Sequence, residues 1–293
     1  MMKTNKKAKW LMSFSMIIFG TLGLFTRNIA VSSGELALYR AILALVLILG
    51  YFVVAGKKIN LKKLGTKDLV LLVASGAAMG TNWILLFEAY KYTSISLATL
   101  SYYFAPVIVT VVCPFLFREV MTKRQILCFV MSTIGLAFII GFEGEGGSGS
   151  VVGILLGLGA ASFYAAVIIL NKFIKNVEGI HRTVFQFLAA AIVLFPYVLS
   201  QGEMSLDTLD GKGWMCLLVV GLVHTGLTYC MYFSAIKELR GQQVAILSYL
   251  DPLVAVLLSV IALGERMNFM QFLGGIFILG FTFLNEYTEN VDK

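Results

Sequence analysis

The chain has 293 residues, of which 59% are hydrophobic and only 13% are charged, and its formal net charge is +7. Soluble domains carry about 45–50% apolar and about 25% charged residues, so this few charges cannot cover the surface of a soluble globule. The basic residues lie in short segments between apolar runs, where they indicate membrane topology rather than nucleic-acid binding. The four cysteines lie within or beside apolar runs and have no paired spacing, which favours small buried side chains over disulfides or metal ligands.

Apolar runs recur along the whole chain. A bilayer core of about 30 Å needs roughly 20 residues of apolar helix, and ten runs are close to that length. We number the predicted membrane spans 1 to 10: Trp10–Ala30, Gly34–Ala55, Asp68–Tyr90, Ser94–Phe117, Arg124–Gly141, Val151–Ile174, His181–Leu199, Gly213–Ile236, Gln242–Leu263 and Asn268–Leu284. The loops between them are too short for a soluble domain. The sequence therefore predicts an all-α integral membrane protein with ten transmembrane helices.

The distribution of Lys and Arg gives the orientation. Of the 23 basic residues, 18 fall in segments on the side of the N-terminus, four fall on the other side, and Arg40 lies within span 2. Cytoplasmic loops carry the excess of basic residues in membrane proteins. The bias predicts a multi-pass protein of the cytoplasmic membrane with both termini inside the cell.

This orientation can be tested with single cysteines placed at Lys3 and Lys62, one before span 1 and one in the loop between spans 2 and 3. Both positions belong to segments rich in lysine, which resist translocation. We expect a membrane-impermeant thiol reagent to leave both cysteines unmodified in intact cells and to modify them after permeabilisation. Modification of either position in intact cells would contradict the predicted orientation.

The sequence repeats itself with an offset of 146 residues. Between residues 87 and 127, nine of 41 positions are identical to their counterparts without a gap. The identical pairs are Phe87/Phe233, Ala89/Ala235, Lys91/Lys237, Tyr103/Tyr249, Pro106/Pro252, Glu119/Glu265, Met121/Met267, Gln125/Gln271 and Leu127/Leu273. Span 4 thus matches span 9, and span 5 matches span 10. We assign residues 1–142 to the first five-helix repeat, 143–150 to a linker and 151–293 to the second repeat.

A repeat of five helices has a mechanistic consequence. Because five is odd, the second copy must enter the membrane from the opposite side. Inverted repeats are typical of alternating-access transporters, in which the substrate site lies near the midplane between the halves. The repeat therefore favours transport over other functions of a membrane protein.

Four stretches of the chain resemble one transporter family. They are YRAILALVLIL in span 2, AYKYTSISLATLSYYFAPVIVTV across spans 3 and 4, FREVMTKRQILCFVMSTIGLAFII in span 5, and ALGERMNFMQFLGGIFILG in span 10. With them the chain resembles the EamA-type ten-helix transporters of the drug/metabolite transporter superfamily. The resemblance implies export of amino acids and related metabolites.

Polar and aromatic residues at helical spacing indicate faces that line a cavity or contact another helix. Their convergence on repeat-related helices favours a shared cavity. The predicted substrate-binding residues are Asn82, Trp83, Tyr102, Tyr103, His224, Thr228, Tyr229, Tyr232, Ser248 and Asp251. Pro106 and Pro252 lie at equivalent positions of spans 4 and 9 and are expected to kink both helices, because proline removes a backbone hydrogen bond.

Ionisable groups inside a membrane are costly and are commonly functional. Asp251, near the middle of span 9, is expected to bind a proton or a substrate ammonium, or alternatively to pair with a cation of another helix. Arg40 is expected either to bind a substrate carboxylate or to pair with Glu35 or Glu88. His224 is a candidate proton relay, and Glu88 a further candidate for coupling or ion pairing.

The sequence therefore predicts a secondary transporter of small metabolites, most readily an amino-acid exporter that works by alternating access. The alternatives are a transporter of small organic cations or drugs and a membrane sensor or scaffold without flux. An enzyme is not expected, because the chain has neither a catalytic constellation nor a metal-spaced cluster of ligands. Without a nucleotide-binding motif, no cofactor is expected either. The expected partners are the substrate and lipid, with proton coupling as one option, in a monomer or a homodimer.

Overall fold

The computed structural model describes residues 2–26, 28–56, 65–92, 101–118, 121–141, 151–174, 177, 179–202, 205–263 and 269–291. The regular structure of these residues is entirely helical. Six of their helices are long and apolar enough to cross a membrane, and a seventh, Ala105–Phe117, is apolar but shorter. The linker at 143–150 and the predicted start of span 4 lie outside the described residues.

Six spans are single helices. Spans 2, 3, 5, 6, 7 and 10 comprise Ser33–Val54, Thr66–Tyr92, Lys123–Gly141, Val151–Phe173, Gly179–Gln201 and Phe269–Val291. Most bounds agree with the predicted ones within a few residues. Span 10 continues to Val291, beyond its predicted end at Leu284, because its polar end still favours helix after the apolar run stops.

The other four spans are irregular. Span 1 is Met2–Gly20 followed by Leu22–Thr26, with a break at Thr21, and begins eight residues before its predicted start at Trp10. Span 4 resumes as Ala105–Phe117 after a turn at residues 103–104. Span 8 comprises Gly211–Val219, a π-helical segment Val220–Leu227, and Thr228–Glu238. Span 9 is Gly241–Ser248 and Leu250–Leu263, with a break at Tyr249.

The breaks in spans 4 and 9 stand in the same relation to the two prolines. Pro106 lies in the first turn of the resumed helix of span 4, and Pro252 lies in the first turn of the resumed helix of span 9. A proline is tolerated there because the N–H groups of the first helical turn have no carbonyl partner within the helix, so the N–H that proline lacks costs no hydrogen bond. Each proline therefore follows an interruption of its helix.

The two halves of the chain pack in a pseudo-symmetric pattern. Span 3 packs against spans 6 and 7, and its counterpart span 8 packs against spans 1 and 2. Span 4 packs against span 6 as span 9 packs against span 1, while spans 2 and 7, 4 and 9, and 5 and 10 pack against each other. Each of these contacts maps onto another of them, or onto itself, when every span is replaced by its partner in the other repeat. The fold is thus two five-helix repeats, as the sequence predicts.

Small residues set how closely these helices approach. A Cβ added at Gly76 in span 3 would lie 2.7 Å from the Cβ of Ala189 in span 7, closer than side chains pack. An added Cβ at Gly221 in span 8 would likewise overlap Leu43 of span 2. At these glycines, spans 3 and 8 therefore use part of their surface for a helix–helix contact of the small-residue type.

Arg182 is an unexpected element of the interior. The sequence counts it as a cytoplasmic topology signal, yet its side chain is fully buried. Its guanidinium donates to the carbonyl oxygens of Asn171 at 2.7 Å and Val177 at 2.9 Å, and also to that of Ile174. The carbonyls of Asn171 and Ile174 lie at the end of span 6 and that of Val177 lies in the connection to span 7, so Arg182 caps the helix and fixes the connection.

Candidate functional site

A central cavity of about 410 Å³ lies between the two repeats. Spans 1, 2, 3, 4, 6, 8 and 9 all contribute to its wall. Eight of the predicted site residues line it: Arg40, Asn82, Trp83, Tyr102, Tyr103, Tyr229, Tyr232 and Asp251. The polar and aromatic faces of these helices therefore converge, as their spacing suggests.

The cavity reaches one end of the bundle. Its lining includes Thr26 at the end of span 1 and Ser33 at the start of span 2, on the side predicted to be extracellular. Towards the opposite end, spans 4 and 9 close on each other. There an added Cβ at Gly241 would overlap the thiol of Cys113 and lie 3.4 Å from Val109. Among the described residues, the cavity is open at the end where spans 1 and 2 join and closed at the end of the termini.

The closed end is reinforced by contacts between span 6, span 4 and the connection between spans 8 and 9. The Lys172 ammonium donates to the carbonyl oxygen of Leu239 at 2.9 Å and lies 5.0 Å from the ring centre of Phe117. The ring of Phe117 in turn packs against Phe173 at 4.8 Å. These contacts join the first repeat to the second below the cavity.

Aromatic rings form much of the cavity wall. Phe19 and Tyr229 lie 4.9 Å apart between ring centres, and Trp83 lies 6.4 Å from Tyr229. The rings of Tyr102 and Tyr164, which also line the cavity, stack with their centres 5.5 Å apart. The Tyr164 hydroxyl accepts a hydrogen bond of 3.2 Å from the hydroxyl of Tyr232. Such a wall suits an apolar or aromatic group and also a cation.

Arg40 presents a positive charge to this wall. Its guanidinium carbon lies 4.2 Å from the centre of the Trp83 ring, and its buried Nε has no hydrogen-bond partner among the described residues. Among the described residues no ion pair joins Arg40 to Glu35 or Glu88, the alternative considered for it. Glu35 instead accepts hydrogen bonds from Ser32, Tyr39 and Ser205, so its oxygens are already engaged.

Asp251 presents a negative charge to the same cavity. Its Oδ2 accepts a hydrogen bond of 3.1 Å from the hydroxyl of Tyr103, in the break of span 4. Span 1 approaches at Gly20, where an added Cβ would lie 2.6 Å from the backbone oxygen of Asp251. Irregular backbone in spans 1, 4 and 9 thus surrounds the acid. Within a membrane, such backbone is tolerated where it lines a cavity.

Three predicted substrate-binding residues are absent from the lining of the central cavity. The hydroxyls of Thr228 and Ser248 turn back to carbonyl oxygens of their own spans, those of Val223 and Val244, each at 2.8 Å. His224 lies in the π-helical segment, where its Nε2 is 2.7 Å from the hydroxyl of Thr21. The wider π turn changes the face on which His224 and the following Thr228 lie, so ideal helical spacing misplaces these two residues.

Glu88 also lies apart from the central cavity. Its Oε1 forms an ion pair of 2.7 Å with Lys91 and accepts a hydrogen bond of 2.6 Å from Tyr197. The hydrogen bond from Tyr197 joins the end of span 3 to the end of span 7. The structure therefore places Glu88 in an ion pair within span 3, and ion pairing is one of the two roles considered for it.

The fold and this cavity define a polytopic membrane protein with an internal site open at one end, the arrangement of a transporter. The chain matches the EamA-like transporter family twice, over residues 6–141 and 151–286. The two matches coincide with the two repeats, and the chain belongs to this family.

Individual relatives agree with this assignment. An uncharacterised transporter of Bacillus subtilis, YxxF, is 30% identical over 91% of this chain and 85% of its own length. A probable amino-acid metabolite efflux pump of Salmonella typhimurium is 27% identical over 61% of this chain and 63% of its own length. A solved crystal structure shares the fold with a TM-score of 0.81 at 20% identity, covering 94% of this chain and 95% of that one.

Proposed function

We propose that this protein exports amino acids and related zwitterionic metabolites across the cytoplasmic membrane by alternating access. One observation supports it above the others: Arg40 and Asp251 line the same cavity, and no salt bridge joins them among the described residues. An α-amino acid carries a carboxylate and an ammonium that complement these two groups. The aromatic wall between them accommodates the side chain.

The size of the cavity supports the same class of substrate. Small-molecule sites measure about 300–1,000 Å³, so a cavity of about 410 Å³ suits a small metabolite. In the proposed orientation the termini are cytoplasmic and the described state is open to the outside. It is then the state from which an exporter releases its substrate.

Coupling is proposed to involve Asp251. A carboxylate in the cavity can bind either a proton from outside or the substrate ammonium, and these two occupants exclude each other. Their exchange at one site would drive export with the inward proton gradient. His224, bonded to Thr21 away from the cavity, is not needed for this scheme.

A second candidate is export of small organic cations. It is favoured by the aromatic rings and by Asp251, which together would hold an ammonium without any need for Arg40. Binding of phenylalanine and phenethylamine by the purified protein separates the two proposals, since the amine differs only by its missing carboxylate. Amino-acid export expects phenylalanine to bind more tightly, and cation export expects the reverse.

Arg40→Gln sharpens this comparison. We expect the variant to bind phenylalanine roughly ten-fold more weakly, because a hydrogen-bonded charge pair is lost, and to bind phenethylamine as before. The dissociation constants are measured by calorimetry, with thermal stabilisation as a second readout. Equal losses for both ligands would assign Arg40 to cavity structure and remove the main support for a zwitterionic substrate.

A further inference from the structure

The two repeats correspond residue by residue in their helix contacts. An added Cβ at Gly80 in span 3 would lie 3.3 Å from the Cα of Ala190 in span 7. An added Cβ at Gly226 in span 8 would lie 3.4 Å from the Cα of Ala44 in span 2. Gly226 follows Gly80 by 146 residues, and Ala190 follows Ala44 by the same number. The offset found in the sequence therefore relates equivalent positions of the folded repeats.

The repeats nevertheless differ in conformation, because the cavity is open at one end and closed at the other. Three polar residues of its lining have polar counterparts in the second repeat that are not part of that lining. The pairs, each 146 residues apart, are Arg40/Gln186, Asn82/Thr228 and Tyr102/Ser248. All three counterparts are buried, with at most 4% of their surface exposed.

Gln186 lies next to the cavity, on the side of the closed end. Arg40 and Gln186 are each the eighth residue of their helix, about 10 Å from its start. Span 2 starts at the open end of the bundle and span 7 starts at the closed end. The residue after Gln186, Phe187, packs against Tyr229 of the cavity wall with 5.2 Å between ring centres. Gln186 therefore approaches the central site from the opposite side to Arg40.

The side chain of Gln186 has an unsatisfied acceptor. Its Nε2 donates to the Oδ1 of Asn171 in span 6 at 2.8 Å, whereas its buried Oε1 has no hydrogen-bond partner among the described residues. Buried polar atoms nearly always have a partner, and an unpaired one is unfavourable. A second state in which this oxygen reaches water or substrate would satisfy it.

We propose that Gln186, Thr228 and Ser248 line a second substrate cavity, which exists in the state that is open at the end of the termini. When inverted repeats exchange their conformations, the cavity closes at one end and opens at the other. Each residue then takes the position of its counterpart, so Gln186 takes that of Arg40. This inward-open wall is polar but uncharged. The amide of Gln186 can donate to a substrate carboxylate and accept from an ammonium. The inference rests on the alternating access of the proposed function.

The experiment uses single cysteines in the full chain, after the four native cysteines have been replaced by alanine. In inside-out membrane vesicles, we expect an impermeant maleimide to modify Gln186→Cys and Thr228→Cys at least about ten-fold faster than Thr183→Cys. A state populated at about 1–10% exposes the first two positions, while the third reacts only through rarer local unfolding. Arg40→Cys should react from the opposite side, in intact cells.

Thr183 is a matched control for Gln186. It lies in span 7 about one turn nearer the start of the helix and is equally buried. Its counterpart Ala37 is also buried and is not part of the cavity lining. Fraying of span 7 would expose Thr183 first, so it cannot produce the expected pattern. Because cysteine is nearly isosteric with threonine, Thr228→Cys tests the inference even if Gln186→Cys does not fold.

The inference is overturned if either folded variant reacts no faster than Thr183→Cys, or if it reacts from the same side as Arg40→Cys. These rates are measured without substrate and are independent of the amino-acid assignment. Phenylalanine is then added and is expected to slow the modification of both positions. Modification that phenylalanine does not slow would support the inward-open cavity and contradict the amino-acid substrate.

Discussion

Asp251→Asn is expected to leave the protein folded and to lower transport at least about ten-fold, the loss that accompanies one hydrogen bond to a charged group. The amide is nearly isosteric with the acid and can still accept the hydrogen bond from Tyr103, which donates to Oδ2 at 3.1 Å. It cannot bind a proton or pair with an ammonium. The pH dependence of the residual flux should therefore flatten. Flux per folded molecule is measured in proteoliposomes, beside the melting temperature.

Glu88→Gln provides a matched control. It makes the same acid-to-amide change in a cavity-lining helix, but its carboxylate contacts Lys91 and Tyr197 instead of the cavity. We expect specific flux to remain and the melting temperature to fall slightly, since a partly exposed ion pair contributes about 0–1 kcal/mol. Normal specific flux in Asp251→Asn, or an equal loss in Glu88→Gln, would contradict a working role for Asp251.

Most of the fold follows from the sequence because the bilayer constrains it strongly. A chain with so few charges must bury its backbone polar groups in helices, and the length of each apolar run then fixes the number of spans. The repeat was visible because both copies keep residues such as Pro106 and Pro252 at one offset. The break at Thr21 and the π-helical segment of span 8 could not be foreseen, since no local composition distinguishes them from regular helix.

The lining of the central cavity was predicted in part, for a related reason. Tyr103 and Asp251 line the cavity because a polar or ionisable group in mid-membrane has few other places to lie. Phe19 and Tyr164 also line it and were missed, because an aromatic residue in an apolar run looks the same whether it faces lipid or a cavity. One signal was available for Tyr164: it lies in the middle of span 6, where its hydroxyl needs a hydrogen-bond partner that lipid does not provide.

The contacts of Arg40 show what sequence reasoning lacks. Its charge suggested either a substrate carboxylate or a glutamate partner, of which Glu35 lies in the same span and Glu88 in span 3. In the structure, Glu35 accepts hydrogen bonds from Ser32, Tyr39 and Ser205. The guanidinium of Arg40 packs against the ring of Trp83. Which of several neighbouring acids a cation pairs with depends on hydrogen bonds from distant loops, which spacing along one helix does not encode.

Gly241→Ala is expected to open the contact of Cys113 with Gly241 at the closed end of the cavity, which we call the cavity floor, and to slow transport about ten-fold. An added Cβ would overlap the thiol of Cys113 and lie 2.7 Å from its Cβ, so the ends of spans 4 and 9 must move apart. Overpacking of this kind costs about 1–3 kcal/mol, and every 1.4 kcal/mol shifts an equilibrium about ten-fold. This overlap raises the free energy of the state described here, because its cavity floor is closed. The population should therefore shift towards the opposite, inward-open state.

The shift is measured at the mouth of the cavity, where Ser33 is exposed and lines the opening. A cysteine replacing Ser33 should react more slowly with an impermeant reagent in Gly241→Ala. Gly211→Ala makes the same change at the first residue of another helix, where an added Cβ meets nothing within 4 Å. It should leave both the transport rate and the labelling rate at position 33 unaltered. Adding Cys113→Gly to Gly241→Ala removes the overlap and should restore flux and labelling. If the double variant stays impaired, Gly241 acts on the start of span 9, and the floor lies elsewhere.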